Sequence, residues 1–223
     1  MNDIRSVAVG LSGGVDSAVA AALLARAGLR VSGLTMKIWS GRHPIVEGAK
    51  HACYGPGEEE DVAACQAICE RLGIPYKTID LSDEYERLVV GYFRSEYLAG
   101  RTPNPCVRCN AELKFGFLVE RARQAGLEFD AFATGHYARI RERDGVPLLA
   151  TAAYAPKDQT YFLWRLAPET LARTLFPLGE LDKEAVRAEA RALGLEVADK
   201  PESQDFVAGG DYAPLFADLG VEP

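Results

Sequence analysis

Gly10-Leu-Ser-Gly-Gly-Val-Asp-Ser17 follows the apolar run Val7, Ala8, Val9 and opens an alanine-rich helical pattern that continues to Arg26. Strand, glycine turn and helix in this order make an anion site. Gly13 and Gly14 free backbone N–H groups, Ser12 adds a hydroxyl, and the helix turns its positive end to the loop, so that all converge on phosphate oxygens. Leu11 and Val15 complete the stretch. A Walker-type loop carries Lys before its last hydroxyl residue, where it reaches the β- and γ-phosphates; here Asp16 stands in that place. An acid suits a Mg²⁺ held against pyrophosphate better than transfer of a γ-phosphate. The chemistry that follows is cleavage between the α- and β-phosphates of ATP, with adenylate moved onto a substrate oxygen. A Gly-Gly turn before a helix is also a common tight βα connection, so the loop alone does not decide the function.

Outward from the loop, apolar β-rich runs alternate with helical patterns, the signature of a parallel sheet covered on both faces. Strands are expected at Ser6–Leu11, Arg30–Met36, Tyr76–Asp80 and Phe129–Thr134, with helices at Asp16–Ala27, Glu59–Leu72, Asp83–Tyr97 and Ala111–Gln124. Gly28, Gly73 and Gly126 stand just past helical patterns, as helix-terminating glycines do. Right-handed crossovers then favour an α/β fold: a doubly wound, mostly parallel five-stranded sheet of order 3-2-1-4-5, with ligands at the carboxyl ends of strands 1 and 4. The turn Thr134-Gly135-His136 is thereby expected to face Ser12-Gly13-Gly14. Further on, Asp144-Gly145 between Ala138–Arg143 and Val146–Thr151 signals a hairpin. Short helical patterns follow at Gln159–Arg165 and Lys183–Leu193. Residues 1–165 are expected to form the nucleotide-binding domain, and 166–223 a small helical extension of the same catalytic unit. The Gly- and Pro-containing segment Ser40–Gly57 reads as a long loop.

The 223 residues, 48% hydrophobic and 26% charged, suit one globular domain with a sizeable core. No apolar stretch is long enough to span a bilayer and no signal-peptide pattern opens the chain, so a cytoplasmic protein without membrane or DNA partners is expected. Net charge is −7, which repels nucleic acid at long range and leaves any RNA contact to a local basic patch. Five cysteines without an export signal favour catalytic or metal-binding thiols over a disulfide framework.

Arg101-Thr-Pro-Asn-Pro-Cys-Val-Arg-Cys-Asn110 is the second decisive stretch. Its prolines fix an extended backbone, and a Cys-x-x-Cys leads into a helix beginning near Asn110. Cys109 is therefore expected near a helix N-terminus, beside Arg108 and one turn from Lys114, a setting that favours the thiolate needed for nucleophilic or sulfur-carrying chemistry. Half of a structural zinc site is the competing reading, with His51 and Cys53 as the remaining ligands. Cys65 and Cys69, four apart on an amphipathic helix, read as buried structural thiols. Trp39, Trp164, Tyr161 and Phe162 read as core or pocket wall, and His136 as a contact in the cleft.

Several separated strings together resemble one family, the bacterial and organellar tRNA-specific 2-thiouridylases of the PP-loop, or N-type ATP pyrophosphatase, superfamily. The strings are GLSGGVDSAVAA (10–21), GLTMKIW (33–39), GRTPNPCVRCNAELKFGFL (100–118), ATGHYARI (133–140), KDQTYFLWRL (157–166), FPLGELDKEAVRAEARALGLEVADKPESQD (176–205) and FVAGGDY (206–212). They run in family order over nearly the whole chain. The resemblance implies an adenine nucleotide alpha hydrolase-like fold and ATP-dependent 2-thiolation of wobble uridine 34 in tRNA, the sulfur arriving as a persulfide on a carrier protein or from a sulfide donor. It implies that Gly10 to Ser17 hold the triphosphate, with Met36 at the adenine edge and Gly135 at the nucleotide. It sets Asn104, Pro105 and Cys106 against the target base, His136 and Lys157-Asp158-Gln159 near the tRNA, and Cys109 as the first catalytic cysteine.

Two departures stand beside these matches. The family follows KPxSQD with Ile-Cys, the second catalytic thiol, whereas here Asp205 runs directly into Phe206-Val207. Cys106, or more remotely Cys53, is then the candidate substitute in a relay. Alternatively Cys106, Cys109 and Cys53 hold a 4Fe–4S cluster with one open iron. The family also continues into a central domain and a β-barrel that help grip tRNA, and the sequence stops at Pro223 before both. Two other functions follow from these departures: thiolation of a small-molecule amide or base, and a non-catalytic ATP-binding or partner-docking module.

Overall fold

The computed structural model describes residues 4–46, 52–195 and 205–220. Its main sheet has five parallel strands: β1 (Ser6–Gly10), β2 (Arg30–Lys37), β3 (Tyr76–Asp80), β4 (Ala131–Thr134) and β5 (Thr174–Leu175). Their spatial order is 3-2-1-4-5, as the sequence predicts. β1 is central, with Val7 opposite Val31 on one side and Ala131 on the other. Val7, Ala8 and Val9 are at most 1% exposed, which is why the strand reads as an unbroken apolar run rather than an alternating one. Each such valine contributes roughly 1.5–3 kcal/mol by leaving water.

Helix α1 (Val15–Arg26) and α2 (Glu58–Leu72) cover one face, where Ala21, Leu24, Cys65 and Cys69 pack on β1. Both thiols are buried, as expected of structural cysteines. Cys69 Sγ occupies the space a side chain at Gly33 would need, 2.3 Å from a Cβ built there, so glycine is what lets α2 approach β2. Two bulged helices cover the other face. α3 spans 82–98 and widens into a π turn at Glu86–Val90; α4 spans 105–124 and widens at Cys109–Phe117. A fifth helix, α5 (Lys183–Ala192), packs Val186 and Ala190 against Val15, Ala18 and Val19 of α1. Among the described residues, no helix is long and apolar enough to cross a membrane.

The hairpin Arg139–Arg143/Val146–Ala150 forms around Asp144 (φ 53°) and Gly145 (φ 78°), the paired positive angles of a tight hairpin turn. Other expectations change. β4 begins at Ala131 rather than Phe129, and β5 is too short to leave a pattern. The Ser40–Gly57 loop contains a strand, Ala52–Tyr54, that pairs in parallel with Asp205–Val207; residues 47–51 lie outside the described set. Gln159–Arg165 forms a single 3-10 turn at Thr160–Phe162, not a helix. α4 starts six residues earlier than expected. Asn104 caps it by accepting a hydrogen bond from the Val107 N–H at 3.1 Å, and Pro105 takes the first helical position, where its missing N–H costs nothing.

Candidate nucleotide and thiol site

β1 and β4 diverge at the point where the winding of the sheet reverses, with Gly10 opposite Thr134 in register. That crevice is where open α/β sheets bind ligands. Residues 11–14 carry the chain from β1 into α1. Gly13 takes φ +69°, and no side chain caps the helix, so the first N–H groups of α1 remain directed at the crevice. Internal bonds hold the loop: Ser12 N–H donates to Ser17 Oγ at 3.2 Å, and Ser17 Oγ donates to Gly14 O at 3.2 Å. Ser12 is exposed and Ser17 buried, so the first hydroxyl faces an incoming anion while the second shapes the turn.

Gly135 meets the first turn of α1, just past this loop, rather than Ser12-Gly13-Gly14. A Cβ built on it falls 2.6 Å from the Asp16 carbonyl carbon and 2.6 Å from Ser17 N. The turn after β4 therefore abuts the backbone of α1's first turn, in a contact that admits only glycine. His136 follows, its Nδ1 2.7 Å from Thr134 Oγ1 and its ring between Phe115 and Phe176. Burial first, and the Lys114 ammonium second, hold its pKa well below the ordinary histidine value. A neutral imidazole in the fold and a protonated one in the unfolded chain mean that stability falls as pH drops through about 6.5. Between pH 7.5 and 5.5 the wild-type melting temperature should fall by about 2–4 °C more than that of His136→Asn. Equal slopes in thermal scans would remove His136 from the acid sensitivity.

Asp16, expected to clamp Mg²⁺, is instead bound by protein. Its Oδ1 accepts from Tyr137 OH at 2.9 Å, and Lys183 Nζ donates to both carboxylate oxygens at 2.8 and 2.9 Å. A carboxylate occupied in this way does not fit the metal ligand read from the sequence. Met36 lies near the carboxyl end of β2, half-buried against the main core. Asp158 and Gln159 tie their segment to its neighbours: Asp158 accepts from Ala152 N–H at 2.7 Å after the hairpin, and Gln159 Oε1 from Tyr137 N–H at 2.9 Å after the Gly135 turn. Lys157 is half-buried beside them.

The thiols gather on the far side of His136. Cys109 is not at a helix end but in the second turn of α4, 8% exposed, and burial pushes its thiol up to about 11. The thiolate-favouring setting expected for it is thus not the one found. Arg108 is turned away, bonded to Glu112 at 2.9 Å and stacked 4.6 Å over the Tyr92 ring. Lys114 remains as the cation acting on Cys109, Cys106, Cys53 and His136. In a regular α-helix a residue five places on lies about 140° around the axis. The wide turn at Cys109–Phe117 brings Lys114 back towards the face of Cys109.

Cys106 is half-buried in the first turn of α4, and burial raises its pKa. Cys53 is open to solvent on one side. On the other, its Sγ donates to Phe206 O at 3.6 Å, beside Tyr85. Crowding by protein pushes its thiol up, an effect that the open side limits. The parallel pairing of Ala52–Tyr54 with Asp205–Val207 thus sets Cys53 against the Asp205–Phe206 junction. Among the described residues, no three His, Cys, Asp or Glu side chains are arranged to hold a metal ion, so the expected cluster on Cys106, Cys109 and Cys53 does not fit this arrangement. His51, the other zinc candidate, lies outside the described residues.

Some residues escaped sequence reading. Lys183 and Tyr137 were within quoted strings but reach Asp16 only through tertiary packing. Asn110, 4% exposed, ties α4 to the 157–163 segment by donating to Phe162 O at 3.2 Å. Tyr161, within the 3-10 turn, and Trp164, just after it, are expected in a wall or core but are 66% and 65% exposed. Trp39 does pack inside, 4.9 Å from the Tyr54 ring. A cavity of about 870 Å³ opens at the opposite, amino end of the sheet near Ser6, Arg30 and Asp130; it is remote from the loop and thiols and is not the site.

A doubly wound parallel domain with a capless glycine loop at its switch point is an α/β domain of the PP-loop type. A family model described as tRNA methyl transferase HUP domain matches residues 5–208, and the chain belongs to that family. It is 49% identical over 219 residues to the tRNA-specific 2-thiouridylase MnmA of Endomicrobium trichonymphae, covering 97% of this chain and 60% of that protein. It is 51% identical over 222 residues to the protein of the same name from Beutenbergia cavernae, covering 97% and 57%. The chain thus spans somewhat over half the length of these relatives. Among solved structures, NMN synthetase from Francisella tularensis matches with TM-score 0.52 and 20% identity, over 90% of this chain and 67% of that one. A 4-thiouridine synthetase in complex with RNA and ATP matches with TM-score 0.52 and 18% identity, over 92% and 45%. These two likenesses concern the fold.

Proposed function

We propose that this chain is the catalytic domain of an ATP-dependent tRNA sulfurtransferase that adenylylates the C2 carbonyl oxygen of wobble uridine 34 and replaces it with sulfur. One juxtaposition carries the reading. The Thr134–His136 turn abuts the first turn of α1, which the phosphate-type loop opens, through Gly135, and it shares Lys114 with the three cysteines through His136. The names of the relatives point the same way.

In this reading the carbonyl oxygen attacks the α-phosphorus of ATP and pyrophosphate leaves into the N–H groups of the loop and α1. Mg²⁺ would enter with the nucleotide, and no protein ligand is assigned to it. The Cys109 thiolate attacks the outer sulfur of a persulfide on a carrier protein, the carrier's thiolate leaves, and Cys109 then carries the sulfur as a persulfide. A persulfide is more acidic than a thiol, so it ionises beside Lys114 where burial keeps the bare thiol protonated. Its terminal sulfur attacks C2 and AMP departs. Cys53 then attacks the Cys109 sulfur, releasing the thiocarbonyl and leaving a Cys53–Cys109 disulfide that an external thiol reduces. Asn104, Pro105 and Cys106 flank the target base, and Lys157 to Gln159 meet the RNA.

The test combines the chain with ATP, Mg²⁺, a persulfide donor and unmodified tRNA, followed by nucleoside analysis. The expected product is 2-thiouridine, with AMP and pyrophosphate in equal amounts. Cys53→Ala should slow product formation by about 100-fold or more while ATP–pyrophosphate exchange stays within about twofold. Wild-type turnover in that variant transfers the second role to Cys106. No thiolated nucleoside in the wild-type reaction rejects tRNA as the acceptor.

A further inference from the structure

The strand that carries Cys53 has three residues, too few to hold a register by backbone pairing alone. It aligns Ala52 with Asp205 and Tyr54 with Val207, and a slip of one place would turn Cys53 inward and Tyr54 outward. Something outside the ladder must therefore set which face Cys53 presents. Tyr54 is fully buried while Cys53 is open to solvent, so the tyrosine registers the strand.

Two successive residues of α3 grip that tyrosine. The Tyr85 ring stacks on it at 5.0 Å, and the Glu86 carboxylate accepts from its hydroxyl at 2.9 Å. Glu86 gathers more of the same loop: Oε2 also accepts from Ser40 Oγ at 3.2 Å, and Oε1 lies 2.6 Å from His43 Nε2. A carboxylate only accepts, so the His43 ring carries a proton on Nε2. The His43 and Glu86 side chains are 6% and 16% exposed. A sheltered charge costs desolvation that an apolar residue of the same size would avoid, so packing alone does not account for Glu86. Its position does. Glu86 opens the wide turn of α3, and Tyr54, Tyr85 and Cys109 share one core cluster. Cys53 stands beside Tyr85 and within electrostatic reach of Cys109.

We infer that Glu86 is the positioning residue for Cys53, holding Ser40, His43 and Tyr54 so that the strand keeps the register in which the Cys53 thiol can reach Cys109. It touches no reacting atom and acts through Tyr54. The inference rests on the reading of Cys53 as the second thiol of the relay.

The test equilibrates the 223-residue chain with glutathione buffers and maps disulfides by mass spectrometry. The Cys53 and Cys109 thiols give two electrons and two protons to oxidised glutathione, which leaves as two reduced molecules, and their own sulfurs join. Glu86→Gln should lower the equilibrium constant for that disulfide about tenfold, a rise of about 30 mV in its potential. Tyr54→Phe, which keeps the ring, should lower it about threefold or more. ATP–pyrophosphate exchange should stay within about twofold, as should alkylation of Cys65 and Cys69 on the opposite face of the sheet. An unchanged disulfide constant in either variant overturns the inference, as does a parallel rise in Cys65 and Cys69 alkylation, which marks general loosening. A wild-type chain that does not join Cys53 to Cys109 rejects the relay itself. Should Glu86→Gln not fold, Tyr54→Phe decides on the same two readouts.

Discussion

Cys109→Ser is expected to lower sulfur transfer by about a thousandfold or more while ATP affinity stays within about twofold. The asymmetry follows from placement. Cys109 sits on α4 and loads only the sulfur step, whereas the nucleotide loop is built from β1, α1 and the Gly135 turn. Serine is close to cysteine in size, so the substitution opens little cavity at a position 8% exposed. An alkoxide is a poorer sulfur acceptor than a thiolate and cannot carry a persulfide. ATP–pyrophosphate exchange in the presence of tRNA and desulfurisation assays read the two halves separately. If both fall together along with the melting temperature, Cys109 is a packing thiol and the proposed sulfur route is wrong.

The second large effect is expected at Gly135. A methyl group there would lie 2.6 Å from two backbone atoms of α1 and 2.9 Å from the Asp16 carbonyl oxygen. Backbone cannot rotate away as a side chain can, so the turn and the start of α1 must separate. Overpacking of this kind costs about 1–3 kcal/mol, and a displacement of about 1 Å in a reacting geometry can cost about a hundredfold in rate. Gly135→Ala should therefore lower the melting temperature by about 4–8 °C and ATP–pyrophosphate exchange by about a hundredfold. Gly14→Ala is the control. Its Cβ would meet only Ser12 Oγ, at 3.5 Å, an ordinary contact, and its melting temperature should stay within about 2 °C. A Gly135→Ala chain that exchanges normally would show that the two turns need not touch for nucleotide to bind.

The parts of the fold legible in the sequence were those with a periodic signal. β1 and β2 announce themselves by apolar runs, α1 by alanines that let it lie flat on the sheet, and the hairpin by Asp144-Gly145. From strand and helix alternation the handedness of crossovers then supplied the strand order. β5, with two residues, and the Ala52–Tyr54/Asp205–Val207 pair, with three each, are too short for any period. Their pairing is set by what the surrounding chain brings together. The early start of α4 was written in Asn104-Pro105, a cap followed by a proline suited to the first turn, but two prolines in three residues also read as extended chain.

The sequence by itself determined the strand–loop–helix at Gly10–Ser17, the winding of the sheet, the facing of Gly135, and the family to which the chain belongs, because each is local or follows from chain order. Only the tertiary structure decided the chemistry of individual side chains. It gave Asp16 to Lys183 and Tyr137, buried Cys109 until its thiol resists ionisation, turned Arg108 away from that thiol, brought Lys114 towards it through a wide helical turn, and set Cys53 against Phe206. Charge and pKa depend on what stands within a few ångströms in space, and residues 167 positions apart share no signal along the chain until packing makes them neighbours.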